Sequence, residues 1–282
     1  MTLAQTPPVA AAARGHHDTG ERVRLTPTAG VSLGVAVIWL SVLVLLPLAA
    51  VVARGTGHGW NEFWHVVSSR GALDAIRLTV ISSLIVAVVN AAMGTLIAWV
   101  LVRDRFFGRR LLEIAIDIPF ALPTIVAGLV MLTLYGKGGP LGLDLYATRP
   151  GVVLALLFVT LPFVVRTVQP VLMALDRDVE EAAASLGAGP LVVFRRVVLP
   201  SITPAIASGA ALAFGRAMGE YGSVILIAGG LPRTTVASQY VYGQIQDGYL
   251  ADAASVSTVL LVISIVVLSS LGIFHRRQVR RG

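Results

Sequence analysis

The sequence predicts an all-α integral membrane protein with six transmembrane helices and a helical loop on the cytoplasmic side between spans four and five. Hydrophobic residues make up 56% of the 282 residues and charged residues only 13%. The mean hydropathy of +0.81 lies outside the range of ordinary soluble domains. The apolar residues form six separate continuous runs, and the absence of a short alternating pattern excludes an outer-membrane barrel.

Each apolar run is long enough, at about 20 residues, to cross roughly 30 Å of hydrocarbon as a helix. The six predicted spans are Val31–Ala53, Ile76–Val102, Ile114–Tyr135, Gly151–Met173, Ile202–Ala228 and Ala253–Phe274. The chain is therefore divided into a flexible cytoplasmic N-terminal tail (1–30), a six-span domain (31–274) and a basic cytoplasmic C-terminal tail (275–282). Four prolines within the runs are expected to kink or interrupt spans. They are Pro119, Pro123, Pro162 and Pro170.

The arginines predict the orientation, because short loops rich in positive charge stay on the cytoplasmic side. Fourteen arginines fall in the two tails and in the second and fourth connections: Arg14, Arg22, Arg24, Arg103, Arg105, Arg109, Arg110, Arg177, Arg195, Arg196, Arg276, Arg277, Arg280 and Arg281. The other connections carry only Arg54, Arg70, Arg77, Lys137, Arg149 and Arg233. Both termini of this multi-pass membrane protein are therefore expected in the cytoplasm. The net charge of +7 then reflects topology rather than nucleic-acid binding.

One polar segment, Glu180–Ala205, stands out among the apolar runs, and we call it the polar cassette. Its carboxylates, arginines, glycines and prolines do not suit hydrocarbon, so it is expected to lie in the cytoplasm. Asp178 and Glu181 have the spacing of a capping box, which predicts a helix start. Gly187 is suited to the left-handed conformation that ends a helix.

A second short helix is expected after the first, because Pro190 favours a first helical turn. Its apolar residues Leu191, Phe194 and Val198 are expected to share one face. Leu199 and Pro200 are expected to break the helix before the fifth span begins. The cassette is thus predicted to be a bent pair of helices, which could be an interfacial hairpin or a docking site for a partner.

The spacing of the cassette resembles the signature of permease subunits of bacterial ATP-binding-cassette importers, known as the EAA motif. The signature is E-A-A, three residues, G, nine residues, I, one residue, L-P. It is met by Glu181, Ala182, Ala183, Gly187, Leu199 and Pro200, with Val197 in the isoleucine position. The resemblance implies a coupling helix that docks onto a separate cytoplasmic ATPase and transmits its conformational change to the spans.

The chain itself offers no catalytic or nucleotide-binding chemistry. A phosphate-binding loop needs a lysine followed by Ser or Thr, and the single lysine, Lys137, is followed by glycine. We find no paired carboxylates in a cleft, no Ser/His/Asp set and no cysteine, and the adjacent His16 and His17 lack further metal ligands nearby. The chain is therefore expected to be no enzyme and to bind no metal or cofactor. ATP and Mg²⁺ are expected on the partner ATPase.

Ionisable residues inside the predicted spans are candidates for the transport pathway or its gate, because each is costly in hydrocarbon. Arg216 and Glu220 are four residues apart, the spacing of an ion pair on a helix. Arg166 and Ser223 are further candidates, and Thr160 and Ser208 could contact an anion. Each of these side chains could equally hold helices together without touching a substrate.

Three stretches resemble the sulfate and thiosulfate branch of these permeases, especially its T-type subunits. They begin at Asp117 (DIPFALPTIVAGLVMLTLYG), Phe158 (FVTLPFVVRTVQPVL) and Phe214 (FGRAMGEYGSVILIAGG). The resemblance implies ATP-driven import of sulfate or thiosulfate. It also implies a second permease subunit, two ATPase copies and an extracytoplasmic sulfate-binding protein as partners. Two alternatives stay open: a molybdate or tungstate importer, whose permeases share the third stretch loosely, and a stand-alone secondary transporter.

Overall fold

The computed structural model describes residues 27–279, and within that range all regular structure is helical. Residues 1–26 and 280–282 lie outside the described part, and with them most of the predicted N-terminal tail, including His16 and His17. The chain divides into two compact units, residues 1–48 and residues 49–282. The first unit contains α1 (Pro27–Leu40) and a π-helical turn (Ser41–Leu45).

The remaining helices follow in chain order, and α2 belongs to the first span. They are α2 (Leu46–Thr56), α3 (Trp60–Val67), α4 (Arg70–Arg103), α5 (Arg109–Ala121), α6 (Thr124–Tyr135), α7 (Arg149–Ala174), α8 (Arg177–Ser185), α9 (Pro190–Val193), a second π-helical turn (Phe194–Val198), α10 (Leu199–Met218), α11 (Gly222–Ala228), α12 (Ala237–Gln246) and α13 (Leu250–Val279). Within the described range, five helical stretches are long and apolar enough to cross a membrane. The bent pair α5 and α6, counted as one span, gives the sixth.

The third span is not the continuous helix that the sequence predicts. Its halves α5 and α6 are bent by 116°. The bend falls at Leu122, whose backbone is extended, and Pro123, which precedes the first turn of α6. A residue before proline avoids the helical conformation, because the proline ring collides with its backbone. The predicted interruption at Pro123 is thus confirmed, whereas Pro119 and the two prolines of α7 lie inside helices.

The fifth span ends earlier than the predicted Ala228, because α10 stops at Met218 and the chain leaves the helical path over residues 219–221. The short helix α11 then begins at Gly222, where its backbone closely approaches the start of α6. A Cβ atom at Gly222 would lie only 2.2 Å from the Thr124 hydroxyl oxygen. Only glycine permits this contact between the two broken spans.

The centre of the second unit is formed by α4, α7 and α10, which pack on one another around Val164 of α7. Glycines on both neighbours allow this approach. A Cβ atom at Gly94 of α4 would lie 2.8 Å from the Val164 Cβ, and one at Gly209 of α10 would lie 2.9 Å from the Val164 Cα. Close contact through small residues is how helices associate where lipid removes the hydrophobic driving force. The three helices therefore form a tightly packed unit to which the polar cassette is attached.

Candidate functional site

The polar cassette follows α7 directly and begins with α8. The structure corrects the predicted capping box: the helix starts at Arg177, and the carboxylate of Asp176 accepts the backbone N–H of Asp178 at 3.0 Å. Asp178 is therefore inside the first turn instead of capping it. A side-chain acceptor immediately before the helix stabilises it by about 1 kcal/mol.

Gly187 ends α8 in the left-handed conformation, as the sequence predicts, with a φ of +85°. The N–H of Ala188 donates to the Ala183 carbonyl at 3.1 Å, and the N–H of Gly187 donates to the Ala184 carbonyl at 2.9 Å. This pair of bonds is the Schellman motif, which satisfies the last carbonyls of the helix. The bend between α8 and α9 therefore has a defined geometry that depends on Gly187.

The tip of the cassette exposes apolar side chains on a largely polar segment. Leu186 is 90% exposed and Leu191 is 68% exposed. Glu181 and Ala182 are exposed beside them, and Ala183 is half-buried. Large apolar side chains that project so far from a folded chain mark contact surfaces for partners. The cassette thus presents a shaped, partly apolar surface at the end of the bundle where α7 ends.

The second half of the cassette differs from the prediction in two ways. Pro190 opens α9, but the helix continues through the π-helical turn into α10 and does not break at Leu199 and Pro200. Instead, the Leu199 N–H donates to the Phe194 carbonyl five residues back. This wide turn immediately precedes Pro200, which has no N–H to donate. The same arrangement precedes Pro47, since the Leu46 N–H donates to Ser41.

The predicted apolar face of this helix is also wrong. Val193 and Val198 are buried, whereas Leu191 is exposed and Phe194 is half-buried. The two buried valines are five residues apart, which corresponds to the wider spacing of a π turn rather than the 3.6-residue period. Of the remaining signature residues, Val197 and Leu199 are half-buried and Pro200 is exposed.

Arg103, the last residue of α4, connects the cassette to the bundle. Its guanidinium forms an ion pair with Glu180 of α8 and donates to the Leu175 carbonyl at 3.4 Å. It also lies over the ring of Trp99, 5.8 Å from the ring centroid, and that ring meets Phe194 edge to face at 5.2 Å. The end of α4 therefore contacts both halves of the cassette. Through these contacts a displacement of α8 would also displace α4, the second span.

The intramembrane candidate Arg166 of α7 makes hydrogen bonds with α5 and with its own helix. Its Nε donates to Asp117 Oδ1 at 2.8 Å, its Nη2 contacts Asp117 Oδ2, and its Nη1 donates to the Gln169 side-chain oxygen at 2.8 Å. This bidentate pair ties α5 to α7. Parallel hydrogen bonds of this kind are among the strongest that an arginine makes.

Arg216 and Glu220 form the ion pair that their spacing predicts. Glu220 lies just beyond the end of α10 and its side chain is only 1% exposed, whereas that of Arg216 is 35% exposed. The second carboxylate oxygen of Glu220 accepts the N–H of Ser223 at 2.8 Å, and its carbonyl accepts the Ser238 hydroxyl at 2.6 Å. Glu220 therefore joins α10, α11 and α12 at the break in the fifth span.

The hydroxyl candidates differ in their surroundings. Thr160 accepts a hydrogen bond from Asn90 at 2.8 Å and so holds α4 and α7 together. Ser208 donates to a carbonyl of its own helix at 3.0 Å. The Ser223 hydroxyl is buried, and within the described range it has no hydrogen-bond partner. Among the described residues no group of His, Cys, Asp or Glu side chains could hold a metal ion.

Three of the residues that make these contacts are absent from the sequence-based candidates: Arg103, Glu180 and Asp117. Asp117 could have been predicted as a candidate, since an ionisable side chain within the predicted third span needs a partner. Arg103 and Glu180 each lie near a span end, where charged residues are common. Nothing in the sequence indicates that these two meet.

Comparison with known families identifies one match. The model of the family described as binding-protein-dependent transport system inner membrane component matches residues 90–281. This stretch includes the whole polar cassette and both intramembrane ion pairs.

Sequence relatives cover most of the chain. It is 39% identical over 266 residues to the sulfate transport system permease protein CysT of Salmonella typhimurium, which covers 92% of this chain and 96% of that protein. It is 43% identical over 242 residues to the probable sulfate transport system permease protein cysT of Nephroselmis olivacea, which covers 83% of this chain and 85% of that protein.

Solved structures share the fold. A bacterial ABC transporter involved in the import of the acidic polysaccharide alginate superposes with a TM-score of 0.73 at 19% identity, over 89% of this chain and 95% of that one. The MetNI methionine ABC transporter, in inward-facing conformations, superposes with a TM-score of 0.59 at 18% identity, over 78% of this chain and 99% of that one.

Proposed function

The chain belongs to the family of binding-protein-dependent transport system inner membrane components, and we propose that it forms part of the transmembrane pathway of an ATP-binding-cassette importer for sulfate, with thiosulfate as a second substrate. The sulfate assignment rests on the identity of about 40% to sulfate permeases over most of the chain. The proposed coupling to ATP rests on the exposed polar cassette, with its defined bend, at one end of the bundle.

In this proposal the cassette docks onto a separate ATPase, which binds the ATP and Mg²⁺. Leu186 and Leu191 supply apolar contacts, and Glu181, Ala182 and Ala183 form the face of α8 that the ATPase approaches. Arg103 then transmits a displacement of α8 to α4, because it binds Glu180 and the end of α7 together. Val197, Leu199 and Pro200 continue the helix into the fifth span, so that the motion also reaches α10.

The need for ATP follows from the charge of the substrate. Moving a dianion into a negative-inside cell costs about 4.6 kcal/mol at 100 mV, before any concentration gradient. A passive pore would therefore lose sulfate from the cell. Coupling to hydrolysis makes accumulation possible.

Of the pathway candidates, Arg216 is the better anion contact. Its Nη1 is held by Glu220, while its other N–H groups have no hydrogen-bond acceptor within the described range. Arg166 donates its hydrogen bonds to Asp117 and Gln169 and so links α7 to α5. It could contact an anion only after its ion pair with Asp117 breaks. The unpartnered Ser223 hydroxyl, next to Glu220, is a second donor for the pathway.

The complete importer is proposed to contain a second permease subunit, two copies of the ATPase and an extracytoplasmic sulfate-binding protein. The chain is placed in the bacterial plasma membrane with both termini in the cytoplasm, on the side of the cassette. Counting the bent pair α5 and α6 as one crossing gives six crossings, and an even number returns the chain to the side on which it starts.

Uptake of labelled anions by cells that lack this chain tests the substrate. We expect such cells to lose uptake of ³⁵S-sulfate and of thiosulfate, with molybdate uptake unchanged. Sulfate and thiosulfate uptake should return when the chain is supplied again. Retained sulfate uptake together with lost molybdate uptake would instead support the molybdate alternative.

A further inference from the structure

A groove between α4 and α7 lies at the end of the bundle opposite the polar cassette. It has a volume of about 540 Å³. Two arginines, Arg77 and Arg149, stand over an apolar floor that includes Ile81, Ile85 and Val153. Nothing in the proposed transport function assigns a role to this groove.

The depth of the two arginines matches that of lipid headgroups. The cytoplasmic ends of α4 and α7 are joined by the bond between Arg103 and the Leu175 carbonyl. Arg77 lies 26 residues before Arg103, and Arg149 lies 26 residues before Leu175. At a rise of 1.5 Å per residue, both arginines are about 39 Å from that bond. A bilayer measures about 40–45 Å including its headgroups, so both guanidinium groups lie at headgroup level.

The charge of the groove fits a single phosphodiester. Within the described part of the chain neither arginine forms an ion pair, although Arg149 Nε donates to the Arg233 carbonyl at 3.2 Å. Asp74, one turn from Arg77, also lines the groove and lowers its net charge to +1. That charge is balanced by a phosphodiester with one negative charge, and less well by a sulfate dianion.

The apolar floor of the groove suits a hydrocarbon chain attached to the phosphodiester. Ile81 is 58% exposed and Ile85 is 44% exposed, and both follow Arg77 at four-residue spacing on the same face of α4. This face runs from headgroup level towards the hydrocarbon. We propose that the groove binds one phospholipid of the leaflet opposite the cassette, with its phosphate between Arg77 and Arg149 and an acyl chain along Ile81, Ile85 and Val153.

Native mass spectrometry of the full-length chain, purified with the subunits that accompany it, tests this site. The test variant is Arg77→Gln with Arg149→Gln. The control is Arg70→Gln with Lys137→Gln, which removes two exposed charges at the same end of the bundle but outside the groove. Phosphatidylglycerol is titrated into each delipidated sample, as are diacylglycerol with the same acyl chains and inorganic sulfate.

We expect wild type and control each to bind one phosphatidylglycerol per chain. The test variant should bind it at least about tenfold more weakly, because two charge-assisted hydrogen bonds are lost. Diacylglycerol should not occupy the site, and sulfate should not displace the lipid. The assignment is overturned if diacylglycerol binds equally well, if sulfate displaces the lipid, or if the test variant keeps its lipid and loses a partner subunit. The last result would make the groove a subunit interface.

Discussion

A Glu220→Ala variant is expected to lose most transport activity and about 3 kcal/mol of stability. The carboxylate is 1% exposed, pairs with Arg216 and accepts the Ser223 N–H. Its removal leaves a guanidinium at membrane depth and a buried N–H without partners, and breaking a buried pair from one side is strongly destabilising. The lower end of the known range of about 3–5 kcal/mol is expected, because the Arg216 side chain is only partly buried, at 35% exposed. Thermal melting of the purified complex and sulfate uptake measure the two effects.

Two companion variants separate packing from transport. Glu220→Gln keeps an acceptor for the Ser223 N–H and should melt between wild type and Glu220→Ala. The double variant Arg216→Gln with Glu220→Gln removes both charges and should recover much of the stability, yet not the uptake, if Arg216 contacts the anion. A Glu220→Ala protein that melts at the wild-type temperature would show that the pair does not hold the broken span together.

A Gly187→Val variant is expected to keep its ATPase partner's hydrolysis but to lose at least about nine-tenths of coupled transport. Gly187 has a φ of +85°, which a β-branched residue adopts only under strain. Valine there would open the bend between α8 and α9 and misplace Leu186 and Leu191 on the ATPase. ATP hydrolysis and sulfate accumulation in proteoliposomes, measured in the same sample, report the coupling ratio.

Gly189→Val is the matched control for this substitution. Gly189 lies two residues further along the same bend, with an ordinary φ of −68°, and no neighbouring atom lies within 4 Å of the position that a Cβ would take. The same side chain is thus added without backbone strain, and the coupling ratio should stay near that of wild type. Equal loss in both variants would assign the effect to bulk in the bend rather than to the conformation of Gly187.

The sequence was sufficient to predict the apolar spans and, within the cassette, the end of α8 and the start of α9. The length of an apolar run indicates directly whether it can cross the membrane. Gly187 ends α8 and Pro190 begins α9 because of the backbone conformations that these two residues themselves favour. The pair Arg216 and Glu220 was also predictable, because residues four positions apart in the sequence can lie about one turn from each other. These features depend on neighbours within a single turn.

The features that the sequence did not predict depend on contacts between distant segments or on a choice between backbone alternatives. Glu180 meets Arg103 across 77 residues, and Arg166 meets Asp117 across 49. Pro200 was expected to break its helix, but a preceding π turn lets the helix continue. The 116° bend of the third span also exceeds what a proline alone dictates. Periodicity in one sequence contains no information on such pairings.

The central claim is that this chain takes its energy from a separate ATPase through the polar cassette. Purification of the intact membrane complex under mild conditions, followed by identification of its subunits, tests it most directly. We expect a nucleotide-binding subunit and a second permease to accompany the wild-type chain, and the nucleotide-binding subunit to be lost when Leu186 and Leu191 are both changed to aspartate. Recovery of a fully active transporter without any nucleotide-binding subunit would contradict the claim.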